Sequence, residues 1–268
     1  MIRAVLTTLT LALLSFASLE VPVTGAQALG KEVHTVARTT NALTFTEKKM
    51  AFDDHALDVY NEAGLKTAGL SYEVFEKAFV GYHNFKQRQL IAPSNSVLTV
   101  IDFTQASNQK RLWIIDVNTK KLLYNTLVAH GRNTGEADAR QFSNEPNSFK
   151  SSIGFYLTGK TYTGKHGLSL RLNGMDPKYN SNAMQRAIVV HGADYVSENF
   201  VKQYGRLGRS LGCPAVPLEF SKAIINTIKD NSCLYINGAD QNYMSSFLDN
   251  TQAVETFALS ELSPVQQI

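Results

Sequence analysis

Between Ala187 and Pro217 the chain reads Ala187-Ile188-Val189-Val190-His191-Gly192 and then, after a glycine-punctuated segment, Arg209-Ser210-Leu211-Gly212-Cys213-Pro214-Ala215-Val216-Pro217. The β-branched run Ile188-Val189-Val190 reads as a buried strand that ends at His191-Gly192. Cys213 follows His191 by 22 residues, in a tight Gly-X-Pro turn. A cysteine attacks as its thiolate, and a nearby imidazole suffices to take the proton near neutral pH. Gly212 lets the turn close tightly, so that backbone N–H groups at Gly212 and Cys213 can point at one spot. Donors placed in this way stabilise the oxyanion of an acyl-transfer transition state. A lone cysteine is more often a small buried apolar residue. Here Arg209, Ser210 and Gly212 surround the thiol, which favours chemistry. Cys213, His191, Gly212 and Ser210 are the expected catalytic set, with imidazole and sulfur within about 4 Å of each other.

The arrangement resembles the L,D-transpeptidase (YkuD-type) catalytic domain, whose signature is a His-Gly after a strand and, some twenty residues on, Ser/Thr-X-Gly-Cys. His191-Gly192 and Ser210-Leu211-Gly212-Cys213 stand at those positions. Arg209-Ser210-X-Gly212-Cys213-Pro214 is closest to the murein L,D-transpeptidase catalytic domain branch. The resemblance extends through Val128-Ala129-His130-Gly131, Phe142-Ser143-Asn144, Ser151-Ser152-Ile153-Gly154 and Gly167-Leu168-Ser169-Leu170-Arg171-Leu172. It implies a mostly β (α+β) fold, a sandwich or barrel with the cysteine loop at one edge. It also implies an exported cysteine acyltransferase acting on peptidoglycan stem peptides. Cys213 would attack the carbonyl of the L-centre residue and expel the terminal D-amino acid, with His191 as general base and acid. Resolution by an amine gives transpeptidation, and resolution by water gives an L,D-carboxypeptidase, a hydrolase. A wall-binding module that keeps the fold without catalysis is the reading from another class.

Two positions depart from the family pattern. Leu211 stands where many members have a histidine, and Pro214-Ala215 where they have Asn or Arg soon after the cysteine. Substrate contacts are expected from Arg209, whose guanidinium pairs bidentately with carboxylates, and from His130, His166 and Arg171 in family-like segments. No acidic residue is placed to orient His191, which leaves a backbone carbonyl to fix its tautomer. There is no Cys-X-X-Cys, no His-Glu-X-X-His and no Gly-X-Ser-X-Gly elbow, so neither a metal nor a cofactor nor a serine nucleophile is implied.

Met1-Ile2-Arg3, an apolar run from Ala4 to Ser18, Pro22 and Ala26-Gln27-Ala28 form the pattern of a secretory signal peptide. Cleavage is expected after Ala28, with Ala26 the alternative, leaving a chain with no transmembrane span in the periplasm or cell envelope. The segment carries one positive and one negative charge, Arg3 and Glu20, so the formal net charge of +3 survives its removal. That charge is too mild and dispersed to argue for nucleic acid, and nothing in the sequence fixes an oligomeric state. Cys213 and Cys233 are the two cysteines. A bridge between them would close a loop worth roughly 3 kcal/mol. Cys233 sits in an apolar strand and Cys213 in a cleft-facing turn, so two free thiols are expected.

The expected organisation is a signal peptide over 1–28, a linker and small helical appendage over 29–93, the catalytic domain over 94–240 and a polar tail over 241–268, mobile from Ser245. The appendage holds a helix from Phe52 to Ala63 and a second that Ser71 caps, with Tyr72, Phe75, Phe79 and Tyr82 at helical spacing. Polar, Thr-rich sequence from Gly30 to Lys49 reads as a loose lead-in. Strands are expected at 97–103, 111–116, 122–129, 151–156, 168–172 and 233–236, and a third helix at 218–229. Short strands at this spacing favour antiparallel hairpins.

Overall fold

Thr44 caps the first helix of the described residues. Its hydroxyl accepts from the Glu47 N–H at 3.3 Å while the Glu47 carboxylate accepts from the Thr44 N–H at 2.7 Å, a reciprocal capping box. The computed structural model describes residues 43–262; the expected signal peptide and most of the lead-in lie outside them. From this cap, helix α1 runs Phe45–Glu62 and buries Phe52, Ala56, Val59 and Tyr60 along one face. The lead-in expected up to Lys49 is therefore already helical from Phe45. Helix α2, Tyr72–Gln87, begins where expected, with Ser71 Oγ accepting from the Val74 N–H.

Eight strands follow: β1 (Val97–Asp102), β2 (Leu112–Asp116), β3 (Lys121–Thr126), β4 (Gly154–Gly164), β5 (Gly167–Gly174), β6 (Val189–Ala193), β7 (Ala215–Pro217) and β8 (Cys233–Asn237). They form one sheet in the order β3-β2-β1-β8-β4-β5-β6-β7. The β1–β8 and β6–β7 pairs are parallel and the others antiparallel. The two flanks nearly meet. Past β3, Ala129 exchanges hydrogen bonds with Ala215 of β7, at 2.8 and 3.3 Å. The architecture is the expected β sandwich-to-barrel type, with helices added.

Both faces of the sheet's centre are covered, so β1, β2 and β8 read as continuous apolar runs rather than alternating ones. One face sends Leu98, Val100, Trp113, Ile115, Phe155, Cys233 and Tyr235 into a core with α1 and α2. The other packs Ile101, Ile114, Tyr156, Leu234 and Ile236 against Ile224, Ile225 and Ile228 of helix α4, Leu218–Ile228. A short helix α3, Glu198–Tyr204, which the sequence reading did not anticipate, joins β6 to the cysteine turn.

The C-terminal segment corrects another expectation. Residues 241–262 are fastened to the body rather than free. Tyr243 Oη and Ser245 Oγ donate to the buried Asp176 carboxylate at 2.7 and 2.6 Å. Helix α5, Asn250–Phe257, buries Ala253, Val254 and Phe257 against α1 and α2. Its apolar positions are few and short, so the polar composition around them hid the helix.

Close packing of α2 on the sheet gives a first test. A Cβ at Gly81 would lie 2.0 Å from Cε1 of Phe155, a ring already held between Phe85, Tyr235 and Phe247. Gly81→Ala is expected to destabilise by about 1–3 kcal/mol, the clash outweighing a helix-propensity gain of about 1 kcal/mol. Urea unfolding measures it; an unchanged or stabilised variant would show that the two layers have slack.

Candidate active site

Strand β6 and the loop before β7 bring the expected residues to one cleft, because the two strands are parallel neighbours with His191 in register with Ala215. A cavity of about 430 Å³ is lined by His191, Cys213, Ser210, Arg209 and His166, together with Tyr162, Lys165, Ser169, Arg186 and Tyr195. The β4–β5 hairpin reaches over it, turning at Lys165-His166.

Ser210 shapes the turn that carries the thiol. Its Oγ accepts from the Gly212 N–H at 3.1 Å and donates to the Cys213 carbonyl at 2.6 Å. Gly212 has φ +126°, and a Cβ there would sit 2.9 Å from the Lys150 carbonyl oxygen, so only glycine fits. The expected pairing of Gly212 and Cys213 N–H groups at an oxyanion is thus altered. The Gly212 N–H is already engaged by Ser210, whereas the Cys213 N–H has no hydrogen-bond partner among the described residues. One donor of the pair is free among the described residues, and it belongs to Cys213 itself.

Cys213 is a half-buried free thiol, and Cys233 a fully buried one in β8. Cys213 Sγ accepts from the Val189 N–H at 3.5 Å and donates to the Ala187 carbonyl at 3.7 Å. Burial pushes the thiol up, and the Val189 N–H and the charges of Arg186 and Lys165 pull it back. His191 is buried. Its Nδ1 lies 2.9 Å from the Gly192 carbonyl oxygen. An oxygen of that kind can only accept, so Nδ1 carries the hydrogen and Nε2 is left as the basic nitrogen. Burial also holds the imidazole below its usual value, against the raising effect of that bond and with the help of His166 and Lys165. The ring is therefore neutral at pH 7.

Cys213 and His191 share the cavity, and no hydrogen bond joins them among the described residues. The sulfur faces the start of β6, and the imidazole is stacked on His166, centroids 4.3 Å apart and planes at 22°. Catalytic hydrogen bonds in unliganded sites are commonly looser than in complexes.

The expected substrate contacts divide. His166 lies in the cleft, on the hairpin tip. Arg209 lines it too, but its Nη1 donates to the carbonyls of Arg132 and Gly135 and to Glu136 Oε1 at 2.7 Å. A substrate carboxylate would have to compete with Glu136. Arg171 sits outside the cavity lining, its guanidinium over the Tyr162 ring at 4.7 Å. His130 is withdrawn altogether: fully buried, its Nδ1 2.8 Å from Arg111 Nη2 and its Nε2 3.3 Å from the Gly135 carbonyl. A guanidinium can only donate, so Nδ1 accepts and the ring is neutral; burial and Arg111 bring it down to about 4.

Sequence reasoning missed Arg186, Lys165, Tyr162 and Tyr195 as cleft residues. Gly164-Lys165-His166-Gly167 between two β-rich runs is a two-residue hairpin signal, and it would have placed Lys165 beside His166. Arg186 precedes the apolar run of β6 and gives no local sign of facing the thiol.

Several solved structures match the chain distantly. An L,D-transpeptidase from Mycobacterium smegmatis has 11% identity and a TM-score of 0.35, over 53% of this chain and 59% of that one. The helical cell shape determining protein Pgp2 from Campylobacter jejuni has 11% identity and a TM-score of 0.37, over 67% of this chain and 63% of that one. An L,D-transpeptidase from Stackebrandtia nassauensis has 15% identity and a TM-score of 0.32, over 71% of this chain and 94% of that one. The chain thus spans only about three-fifths of the first two. It matches no curated protein. These likenesses are too remote to carry weight, and the assignment rests on the sequence family. Residues 66–237, from the turn before α2 to the end of β8 and so including the whole cleft, match the L,D-transpeptidase catalytic domain. The match covers more than half of the sequence, and the chain belongs to that family.

Proposed function

We propose that this protein is an exported cysteine acyltransferase that remodels peptidoglycan stem peptides by L,D-transpeptidation. The observation that carries the reading is a half-buried thiol, Cys213, on a glycine-dependent turn in the same cleft as a neutral His191 whose Nε2 is free. Family membership supplies the substrate class, and no helix among the described residues is long and apolar enough to cross a membrane.

In the acylation step the Cys213 S–H proton passes to His191 Nε2, directly after a side-chain rotation or through one water. The sulfur then bonds to the acyl carbon of the L-centre residue. Oxyanion charge falls to the Cys213 N–H. Collapse of the adduct breaks the carbon–nitrogen bond, and His191 returns the proton to the departing D-amino acid. An acceptor amine attacks the thioester in the same way, giving a new amide and regenerating the thiol. Water in place of the amine gives the carboxypeptidase outcome.

Incubating the purified mature protein with tetrapeptide muropeptides and following products by mass spectrometry tests the reading. Cross-linked dimers with loss of the terminal D-residue are expected. Shortened monomers alone would mean hydrolysis, and an untouched substrate with folded protein would leave a binding module.

A further inference from the structure

Arg186 leads into β6, and Ala187 after it has φ +53°, a left-handed conformation unusual for a residue with a side chain. The kink turns two consecutive residues to the same wall of the cleft. Ala187 offers the carbonyl that holds the Cys213 S–H, and Arg186 offers its guanidinium. That guanidinium is clamped behind the cysteine turn. Nη1 donates to the Ser143 carbonyl at 2.6 Å and Ser152 Oγ at 3.2 Å. Nη2 donates to the Lys150 carbonyl at 2.5 Å and Ser148 Oγ at 3.3 Å. A Cβ built on Gly212 would lie 3.3 Å from Nη2, so the charge stands directly against the residue before the thiol.

All four partners are neutral, and among the described residues Arg186 has no carboxylate at ion-pair distance. A part-buried cation held only by carbonyls and hydroxyls keeps its charge where water screens it poorly. Of the other groups around Cys213, Lys165 also favours the thiolate, but it is exposed on the hairpin tip, where water screens it more than it screens the part-buried Arg186. Arg209 is paired with Glu136, His166 is exposed and stacked on His191, His191 is neutral, and the Tyr195 phenol is raised by burial.

We propose that Arg186 is the standing counter-charge of the Cys213 thiolate, a positioning residue that favours ionised sulfur while His191 only carries the proton. The carboxylate acting on Arg186, Glu145, is exposed and beyond ion-pair distance, which leaves the cation's charge available to the thiol. This division of labour also accounts for a cleft in which imidazole and sulfur are not bonded to each other. The inference rests on the reading of Cys213 as nucleophile, but its test does not use turnover.

The test is the pH dependence of iodoacetamide alkylation, followed on the Cys213 peptide by mass spectrometry, with circular dichroism confirming the fold. In Arg186→Gln the midpoint is expected to rise by roughly one pH unit, with alkylation at pH 7 about tenfold slower. Arg186→Lys keeps a charge and is expected to recover part of the shift. Ser148→Asp leaves the arginine in place and gives it a carboxylate partner; it too raises the midpoint. Equal shifts in the Gln and Lys variants would reduce Arg186 to a loop tether and overturn the proposal. So would an unshifted midpoint in folded Arg186→Gln or, where that variant does not fold, in Ser148→Asp. Failure of the nucleophile reading would appear differently, as Cys213→Ala protein that still transfers acyl groups.

Discussion

Cys213→Ala is expected to lower acyl transfer by roughly 10⁴-fold or more, because no thioester can form. Its fold should survive. Among the described residues Sγ has only the weak 3.5 and 3.7 Å hydrogen bonds to Val189 and Ala187 and sits at the edge of the apolar core, so the stability change is expected to stay within about 1 kcal/mol. His191→Gln removes the base but leaves the thiol, and a loss of roughly 10²–10⁴-fold is expected. Intact-mass analysis of wild-type protein mixed with muropeptide should find the acyl adduct, and the alanine variant should not form it. Cys233, fully buried in the centre of the sheet, is the internal control: Cys233→Ala should keep its acyl transfer. A Cys213→Ala protein with ordinary turnover would end the cysteine mechanism.

Acid should unfold this protein, and His83 is the main reason. The ring is 2% exposed within an aromatic cage of Phe52, Phe79, Tyr82 and Phe257, and neither nitrogen has a protein partner among the described residues. Burial first, then the charges of Lys86 and His55, bring it down from 6.5 to about 3. Above about pH 6.5 both folded and unfolded chains carry the neutral ring, and the full stability is present. As pH falls toward 3 the unfolded chain binds a proton that the folded chain refuses, so stability is lost throughout that window. The loss from His83 is on the order of 4–5 kcal/mol, and His130, at about 4, adds in the same direction. Domains of this kind have about 5–15 kcal/mol in all. His83→Phe keeps the shape and removes the titration. Between pH 7.5 and 4.5 its stability relative to wild type should improve by about 2–3 kcal/mol in urea melts. Parallel pH profiles for the two proteins would mean that the buried ring is not what acid attacks.

The shape of the cysteine turn was legible because its geometry is local. A glycine with positive φ and a cysteine next to proline are each read from adjacent residues, whereas the strand expected to end at His191-Gly192 runs on to Ala193 and holds His191 at its centre. A backbone carbonyl fixing the His191 tautomer was anticipated, but not that it belongs to Gly192. What failed to show was set by distance in space. Nothing near His130 in sequence announces that Arg111, nineteen residues away, removes it from the cleft. Nothing near Arg209 announces that Glu136 occupies its guanidinium. The start of α1 is the exception, since Thr44-Phe45-Thr46-Glu47 is a capping-box pattern that polar surroundings obscured. Helix α5 was hidden in a different way. Its three buried residues gain their meaning only from α1 and α2, elements about 170 or more residues earlier.

The bond exchange between Ala129 and Ala215 governs how a peptide can approach. A three-residue flank such as β7 would ordinarily present unpaired backbone groups, an invitation for a passing extended chain to dock as one more strand. Here Ala129 already occupies that side, and β6 occupies the other. A wall peptide reaching Cys213 therefore cannot be read through backbone zippering along β7. On the proposed function such a peptide is held by side chains and the hairpin tip above the strand ends, where Lys165, His166, Tyr162 and Tyr195 line the cleft. The same plug keeps two copies of the protein from stitching together at β7.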